Sequence, residues 1–331
     1  MLHDIIFLIL GLVLIIAGGN FVTDGATTVA RRMNVSGMVI GLTVVAFGSS
    51  APDFVVCLTS TLAGKSQMAL GDVVGSNIFD ILLVVGVVAM VRPVAISSDM
   101  LRADLPMLVL SSLVIFFCGD DLLFDGSPNI LSRTDGLMIL CFFVIFMAYT
   151  FRSARNHTLV QEVEGKAPAA PEPRPVVTGR QMWIAAASIA GGLAALIAGG
   201  NWIVSGASGI ALKAGLSEGL VGLTIVAFGS ASPDLATSLI AAVKKQPGIA
   251  LGNVVGSCIF NVFFILGFCA TIRPLNAGTI SVVDFGTLAG GSVLLWLTGR
   301  FYGQRIIRRS EGAILAVAYL AYMAYLIAQM R

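Results

Sequence analysis

Residues 46–53 read AFGSSAPD and residues 227–234 read AFGSASPD. Each octet sits inside a run apolar enough to cross a bilayer, and each places a proline and then an acid within it. Proline in a helix interior has no N–H to donate and clashes with the carbonyl four residues back. Pro52 is therefore expected to free the Gly48 carbonyl, and Pro233 that of Gly229. The glycines let the backbone open at little steric cost. In hydrocarbon an unsatisfied carbonyl is expensive, and Asp53 and Asp234 add roughly 2.5–3.5 kcal/mol each at the centre of a span. Carbonyl and carboxylate together make a cradle of hard oxygens, and a bound cation would offset both costs.

The rest of the chain agrees with a membrane setting. It has 331 residues, 57% of them hydrophobic and 11% charged, where a soluble chain carries about 25% charged residues. A net charge of +2 offers no basic patch, so no nucleic-acid partner is expected. A spanning helix needs roughly 20 mostly apolar residues. Ten segments qualify: 4–22, 36–62, 68–91, 105–119, 135–151, 181–209, 217–243, 248–272, 282–299 and 312–329. The fold class expected is an all-α integral membrane protein with ten transmembrane helices. The short fourth segment is expected to tilt or to lie partly at the interface. The first has neither a basic leader nor a small-residue cleavage site, so it reads as a retained helix. Cys57, Cys118, Cys141, Cys258 and Cys269 are odd in number and lie in apolar segments, so they read as small buried hydrophobes and not as a disulfide framework.

The two octets belong to a larger repeat. GLTVVAFGS at 41–49 matches GLTIVAFGS at 222–230, and GDVVGSNIFD at 71–80 matches GNVVGSCIFN at 252–261. AGGN recurs at 17–20 and 198–201, and Arg92-Pro93 at Arg273-Pro274, always 181 residues apart. Residues 1–151 and 181–331 are read as two five-helix repeats, with 152–180 as a flexible linker of alanine, proline and charge. Five is odd, so the second copy enters the membrane inverted. With the N-terminus outside, only Lys65, Arg133, Lys213, Arg273 and Arg331 fall on the outer side, leaving 15 of the 20 Lys and Arg within. Both termini are thus expected outside and the linker in the cytoplasm. Inverted repeats place a transport site at mid-membrane, where interrupted helices meet.

More oxygens surround the two acids. Ser49 and Ser50 precede Asp53 by four and three residues, and Ser230 precedes Asp234 by four, with Ala231 at three. Ser76 and Asp80 form an i,i+4 pair, extended one turn by Asp72; the second copy offers Ser257, Asn261 and Asn253. Calcium takes about 6–8 oxygens, several of them carboxylate. No thiol or imidazole converges, which speaks against zinc, copper or iron. Asp53, Asp80 and Asp234 carry three negative charges when ionised, enough for one Ca2+ or for several monovalent ions but not for both at once. That exclusion is the electrostatic basis of antiport. The plainer alternative is that these polar residues only join helices through hydrogen bonds. Gly18, Gly19, Gly199 and Gly200 read first as helix-packing residues and second as a surface for sliding.

At these residues the chain resembles the calcium/cation antiporter superfamily and, within it, the bacterial type of the sodium/calcium exchanger family with two inverted alpha repeats. Its motifs G-T-S-x-P-E/D and G-N/D-x-x-G-S-N-x-x-N/D match Gly48 to Asp53 with Gly71 to Asp80, and Gly229 to Asp234 with Gly252 to Asn261. The alpha-1 region spans 41–86 and the alpha-2 region 222–267. The resemblance implies Ca2+ extrusion driven by inward Na+, and no enzyme activity. It implies Asp53 and Asp234 as shared ligands of Ca2+ and Na+, and Asp80 and Asn261 completing a central diamond. Ser49, Ser50, Ser76, Ser230 and Ser257 would supply hydroxyls, and Ala46 and Ala227 carbonyls; Asp72 is a possible further ligand. The first and sixth helices would slide across the others. No cofactor is implied. The partners are inorganic cations and the lipid bilayer, the chain is expected to work as a monomer, and its place is the bacterial inner membrane.

The departures bear on coupling. Serine replaces threonine at 49 and 230, alanine stands at 231, aspartate replaces the frequent glutamate at 53, and Asp72 adds an acid where asparagine is usual. Exchange of Ca2+ for H+, or of another divalent for another monovalent cation, therefore stands beside Na+ coupling. A channel and an intramembrane aspartyl protease are the competing classes. The protease lacks a G-x-G-D element, and an inverted repeat has no part in its chemistry.

Overall fold

A computed structural model of the chain describes residues 2–33, 37–119, 129–163, 179–213, 231–278, 280–301 and 305–329. Within lipid every backbone polar group must be satisfied inside its own segment, and the apolar runs accordingly close into helices. These are α1 (Leu2–Met33), α2 (Gly37–Ile40), α3 (Ala46–Ser49), α4 (Ala51–Leu62), α5 (Ser66–Ile78), α6 (Val85–Val91) and α7 (Leu105–Gly119), then α8 (Arg133–Val163), α9 (Gly179–Lys213), α10 (Ser232–Val243), α11 (Pro247–Phe260), α12 (Gly267–Ile272), α13 (Val282–Phe301) and α14 (Arg309–Gln329). Among the described residues eight helices are long and apolar enough to span, and the bent pair Met38–Ser49 with Ala51–Leu62 makes a ninth. The seventh expected span, 217–243, falls partly on 217–230, outside the described residues; its remainder holds α10. Large apolar side chains such as Val144, Val317 and Leu320 face outward, as a lipid-facing surface requires.

Three expectations about boundaries are corrected. The first helix runs to Met33, and the fifth runs to Val163, so the stretch expected as a flexible linker from 152 is helical over its first twelve residues. Loss of hydropathy ends a span but not a helix: FRSARNHTLVQEV contains no proline or glycine to stop it. Residues 164–178, the core of that linker, lie outside the described residues. The short fourth segment gains a π-helical turn at Met100–Asp104, giving a span of 20 residues over Met100–Gly119. Cys57, Cys258 and Cys269 are buried as expected, but Cys141 is exposed on an outward face, where a thiol costs little among lipid-facing apolar residues.

The two halves are related by a pseudo-twofold axis, and contacts between repeat mates trace it. Asn77 and Cys258 are 181 residues apart and face each other, Asn77 Nδ2 donating to the Cys258 carbonyl at 3.0 Å and Cys258 Sγ to the Asn77 carbonyl at 3.9 Å. Four short strands obey the same axis: β1 (Val94–Ala95) pairs with β4 (Ile306–Ile307), and β2 (Ile130–Leu131) with β3 (Leu275–Asn276). The first pair joins the end of the third span to the start of the tenth, and the second joins the eighth to the fifth. Helices α1 and α9 cross antiparallel on glycines. A Cβ on Gly18 would sit 2.7 Å from the Gly192 carbonyl, and one on Gly199 would sit 2.8 Å from that of Gly11. Gly11 and Gly192 are themselves repeat mates, as are Gly18 and Gly199. Helix packing in membranes is governed by such small residues, because lipid supplies no hydrophobic drive between helices.

Candidate ion-binding site

The first octet breaks its helix at Ser50, and Ala231, the equivalent residue of the second, has nearly the same backbone conformation. Ser50 ends α3 with φ −80° and ψ 1°, and Ala231 precedes α10 with φ −87° and ψ −2°. Pro52 and Pro233 then occupy the first turn of the following helix, where a missing N–H does no harm. The bend between α3 and α4 is 45°. One expectation fails here: the Gly48 carbonyl is not left free, because the tight turn at Ser50 brings a backbone N–H of the cap onto it. The Ala46 carbonyl accepts the Ser50 N–H at 3.0 Å and the Ser49 hydroxyl at 3.2 Å.

The break serves the acids instead. Asp53 and Asp234 fall in the first turns of α4 and α10, at the positive ends of half-helices. A carboxylate there gains typically 0.3–1 kcal/mol, and up to about 2 in buried geometry, which offsets part of the cost of placing it in the membrane. Both side chains are 1% exposed, and Asp80 is fully buried. Asp80 and Asn261 lie in matching π-helical turns, Phe79–Val84 and Asn261–Leu266. Turns of this kind widen the backbone and are frequent at functional sites.

Each acid is held by a residue of another span, and two of them across the repeats. Asn261 Nδ2 donates to Asp53 Oδ2 at 3.0 Å and also reaches Asn77 Oδ1 at 3.1 Å and Ser76 Oγ at 3.5 Å. The Ser257 hydroxyl donates to Asp80 Oδ2 at 3.1 Å. Asn253 Nδ2 donates to Asp234 Oδ1 at 2.9 Å and to Ser238 Oγ at 3.1 Å, while its own Oδ1 accepts from the Ser49 hydroxyl at 3.0 Å. Asp53, Asp80 and Asp234 lie within electrostatic reach of one another, and Asp72 within reach of Asp53. Aromatic rings of the two halves also interlock beside the break: Phe47 packs on Phe260 with centroids 4.7 Å apart, and Phe54 on Phe264 at 5.6 Å.

What remains unbonded is as telling. Ser50 Oγ, Asp53 Oδ1, Asp80 Oδ1 and Asn261 Oδ1 are buried and have no hydrogen-bond partner. Buried polar atoms are almost always paired, and exceptions call for a ligand, an ion or a catalytic role. Four oxygens on three spans of both repeats fit a hard cation. Among the described residues no three Asp, Glu, His or Cys side chains cluster closely enough to hold an ion alone, so a shell here draws on hydroxyl and amide oxygens as well. Like charges repel, and each carboxylate turns one oxygen to a neutral donor.

Of the residues expected from sequence, Ser49, Ser50, Ser76, Asp53, Asp80, Asp234, Ser257 and Asn261 belong to this buried polar network, and Asp72 borders it. Ser230 and Ala227 lie outside the described residues. Sequence reasoning passed over Asn77 and Ser238 and treated Asn253 only as the counterpart of Asp72. The i,i+4 rule that paired Ser76 with Asp80 also pairs Asp234 with Ser238.

Comparison with known proteins agrees with this geometry. The family described as sodium/calcium exchanger protein matches residues 3–152 and 184–328. The chain is 37% identical over 328 residues to CaxA of Alkalimonas amylolytica, covering 97% of this chain and 98% of that one. It is 29% identical over 348 residues to the sodium/calcium exchanger MaX1 of Methanosarcina acetivorans, covering 98% of each. The solved structure of the sodium-calcium exchanger NCX_Mj soaked with 10 mM Na+ and zero Ca2+ superposes with a TM-score of 0.82 at 27% identity, covering 98% of both chains. A duplicated, inverted all-α fold with acids in the first turns of α4 and α10, matched along nearly its whole length, places this chain in the sodium/calcium exchanger family of cation/Ca2+ antiporters.

Proposed function

We propose that the chain exports Ca2+ in exchange for Na+ by alternating access. Asp53, Asp80 and Asp234 serve as carboxylate ligands, with Asn261, Ser49, Ser50, Ser76 and Ser257 as further oxygen partners and Ser230 in the matching place of the second repeat. The observation that carries this is the set of four buried oxygens without partners, contributed by both repeats to one region. The names of MaX1 and NCX_Mj lend it support. One cluster of limited negative charge loads either a divalent ion or monovalent ions, which makes the two cargoes mutually exclusive. Helices α1 and α9 slide on their glycine crossing to open the site to each side in turn. Because one chain supplies both halves of the site, a monomer suffices. The distribution of Lys and Arg supports both termini outside the cytoplasm in a bacterial inner membrane.

Exchange of Ca2+ for H+ is the second reading, and Asp72 favours it. Two carboxylates in mutual reach, Asp72 and Asp53, are relieved either by a cation or by a shared proton. Isotopic Ca2+ uptake into proteoliposomes under separately imposed Na+ and H+ gradients distinguishes the two. Uptake that follows the Na+ gradient and ignores both a pH gradient and a protonophore is expected. Uptake that follows only the pH gradient would replace Na+ with H+ as the coupling ion.

A further inference from the structure

Threonine in a membrane helix ordinarily turns its hydroxyl back to the carbonyl four residues earlier. Thr23, Thr43, Thr61, Thr150 and Thr271 all do so, at 2.7–2.9 Å. Thr237 does not. Its side chain is fully buried, and its Oγ1 has no hydrogen-bond partner. It lies three residues beyond Asp234 on α10, with Ser238 four beyond, so the three share one helix face. Ser238 is fully buried too, and Asn253 Nδ2 bridges its hydroxyl and Asp234 Oδ1.

The first repeat has no such hydroxyls, since Val56 and Cys57 stand at the equivalent positions. It has Ser50 instead, three residues before Asp53 and likewise partnerless, where the second repeat has Ala231. The free hydroxyl has moved from before the acid to after it. Six residues of helix correspond to about 9 Å along the axis at roughly 1.5 Å per residue.

We propose that Thr237 and Ser238, with Asp234, form a monovalent-cation site of the second repeat, displaced toward the far end of α10 from the place that Ser50 marks in the first. One carboxylate among neutral oxygens carries a single negative charge, which suits Na+ better than Ca2+, whose shells draw on several carboxylates. The assignment rests on the Na+ exchange proposed above.

The test uses full-length protein in proteoliposomes and the isosteric Thr237→Val, which removes only the hydroxyl. Wild-type Ca2+ uptake is first titrated against Na+, and isotopic Ca2+/Ca2+ exchange is measured in Na+-free medium. In Thr237→Val the Na+ concentration for half-maximal uptake is expected to rise ~5-fold, the net worth of about one hydrogen bond. Ca2+/Ca2+ exchange should persist, and Thr237→Ser should restore the wild-type Na+ response. An unchanged Na+ titration in Thr237→Val overturns the site, as does parallel loss of Ca2+/Ca2+ exchange, which would assign the hydroxyl to the central site or the fold. Wild-type uptake that ignores Na+ would sink the Na+ exchange itself, and this site with it, before any variant is made.

Discussion

The helix starts that carry Asp53 and Asp234 share a backbone but not a chemistry. Ser50 and Ala231 adopt nearly the same φ and ψ, each followed by a proline and an acid in the first turn of the next helix. Their surroundings differ. Asp234 accepts from the amide of Asn253, whereas Asp53 has the acid Asp72 in the equivalent place and takes its amide from Asn261 in the other repeat. Duplication fixed the half-helix geometry that makes a buried carboxylate tolerable; the side chains around it were then free to specialise. One half thus holds most of the partnerless oxygens, while the other holds its acid in a bonded chain from Ser49 through Asn253.

The largest effect should come from breaking either acid. Asp53→Asn or Asp234→Asn keeps the shape and removes the charge, and Ca2+ uptake in proteoliposomes should fall at least ~100-fold, on the scale of breaking a buried charged pair. The variants should still insert and purify. Retained flux in one of them would show that its half is not a ligand. A smaller effect is expected from Asn253→Ala, which leaves Asp234 Oδ1 and Ser238 Oγ without their common donor. An unsatisfied buried group costs ~1–3 kcal/mol, so Ca2+ binding by isotope should weaken about tenfold. Unchanged binding would make Asn253 a mere helix joint. Smallest is Ala231→Ser, which gives the second repeat the hydroxyl of the first and should lower the half-maximal Na+ concentration by roughly 2–5-fold. No change would mean that position 231 faces no ion.

Much of this was legible in the sequence because the signals were duplicated. A constant offset of 181 residues marks the repeats, and proline and aspartate inside apolar runs mark the starts of α4 and α10. Ser49, Ser50 and Ser76, at helical spacing from Asp53 and Asp80, are buried. Other features were not legible, for physical reasons. The π-helical turns Phe79–Val84 and Asn261–Leu266 contain no proline or glycine to betray a change of period. The fate of the Gly48 carbonyl depended on the turn at Ser50, which proline chemistry alone does not determine. Asn77 is the asparagine of the second motif, but its contact with its repeat mate Cys258 across the pseudo-twofold axis exists only in three dimensions.

The most direct test is crystallographic: crystals of the protein soaked in Ca2+, or in Sr2+ for its anomalous signal. A single strong peak coordinated by Asp53 Oδ1 and Asp80 Oδ1, with Asp234 in the same shell and reduced in proportion as Na+ is raised, is the expected outcome. Strong density elsewhere, with those oxygens bonded only to protein, would contradict a shared site formed by the two inverted repeats.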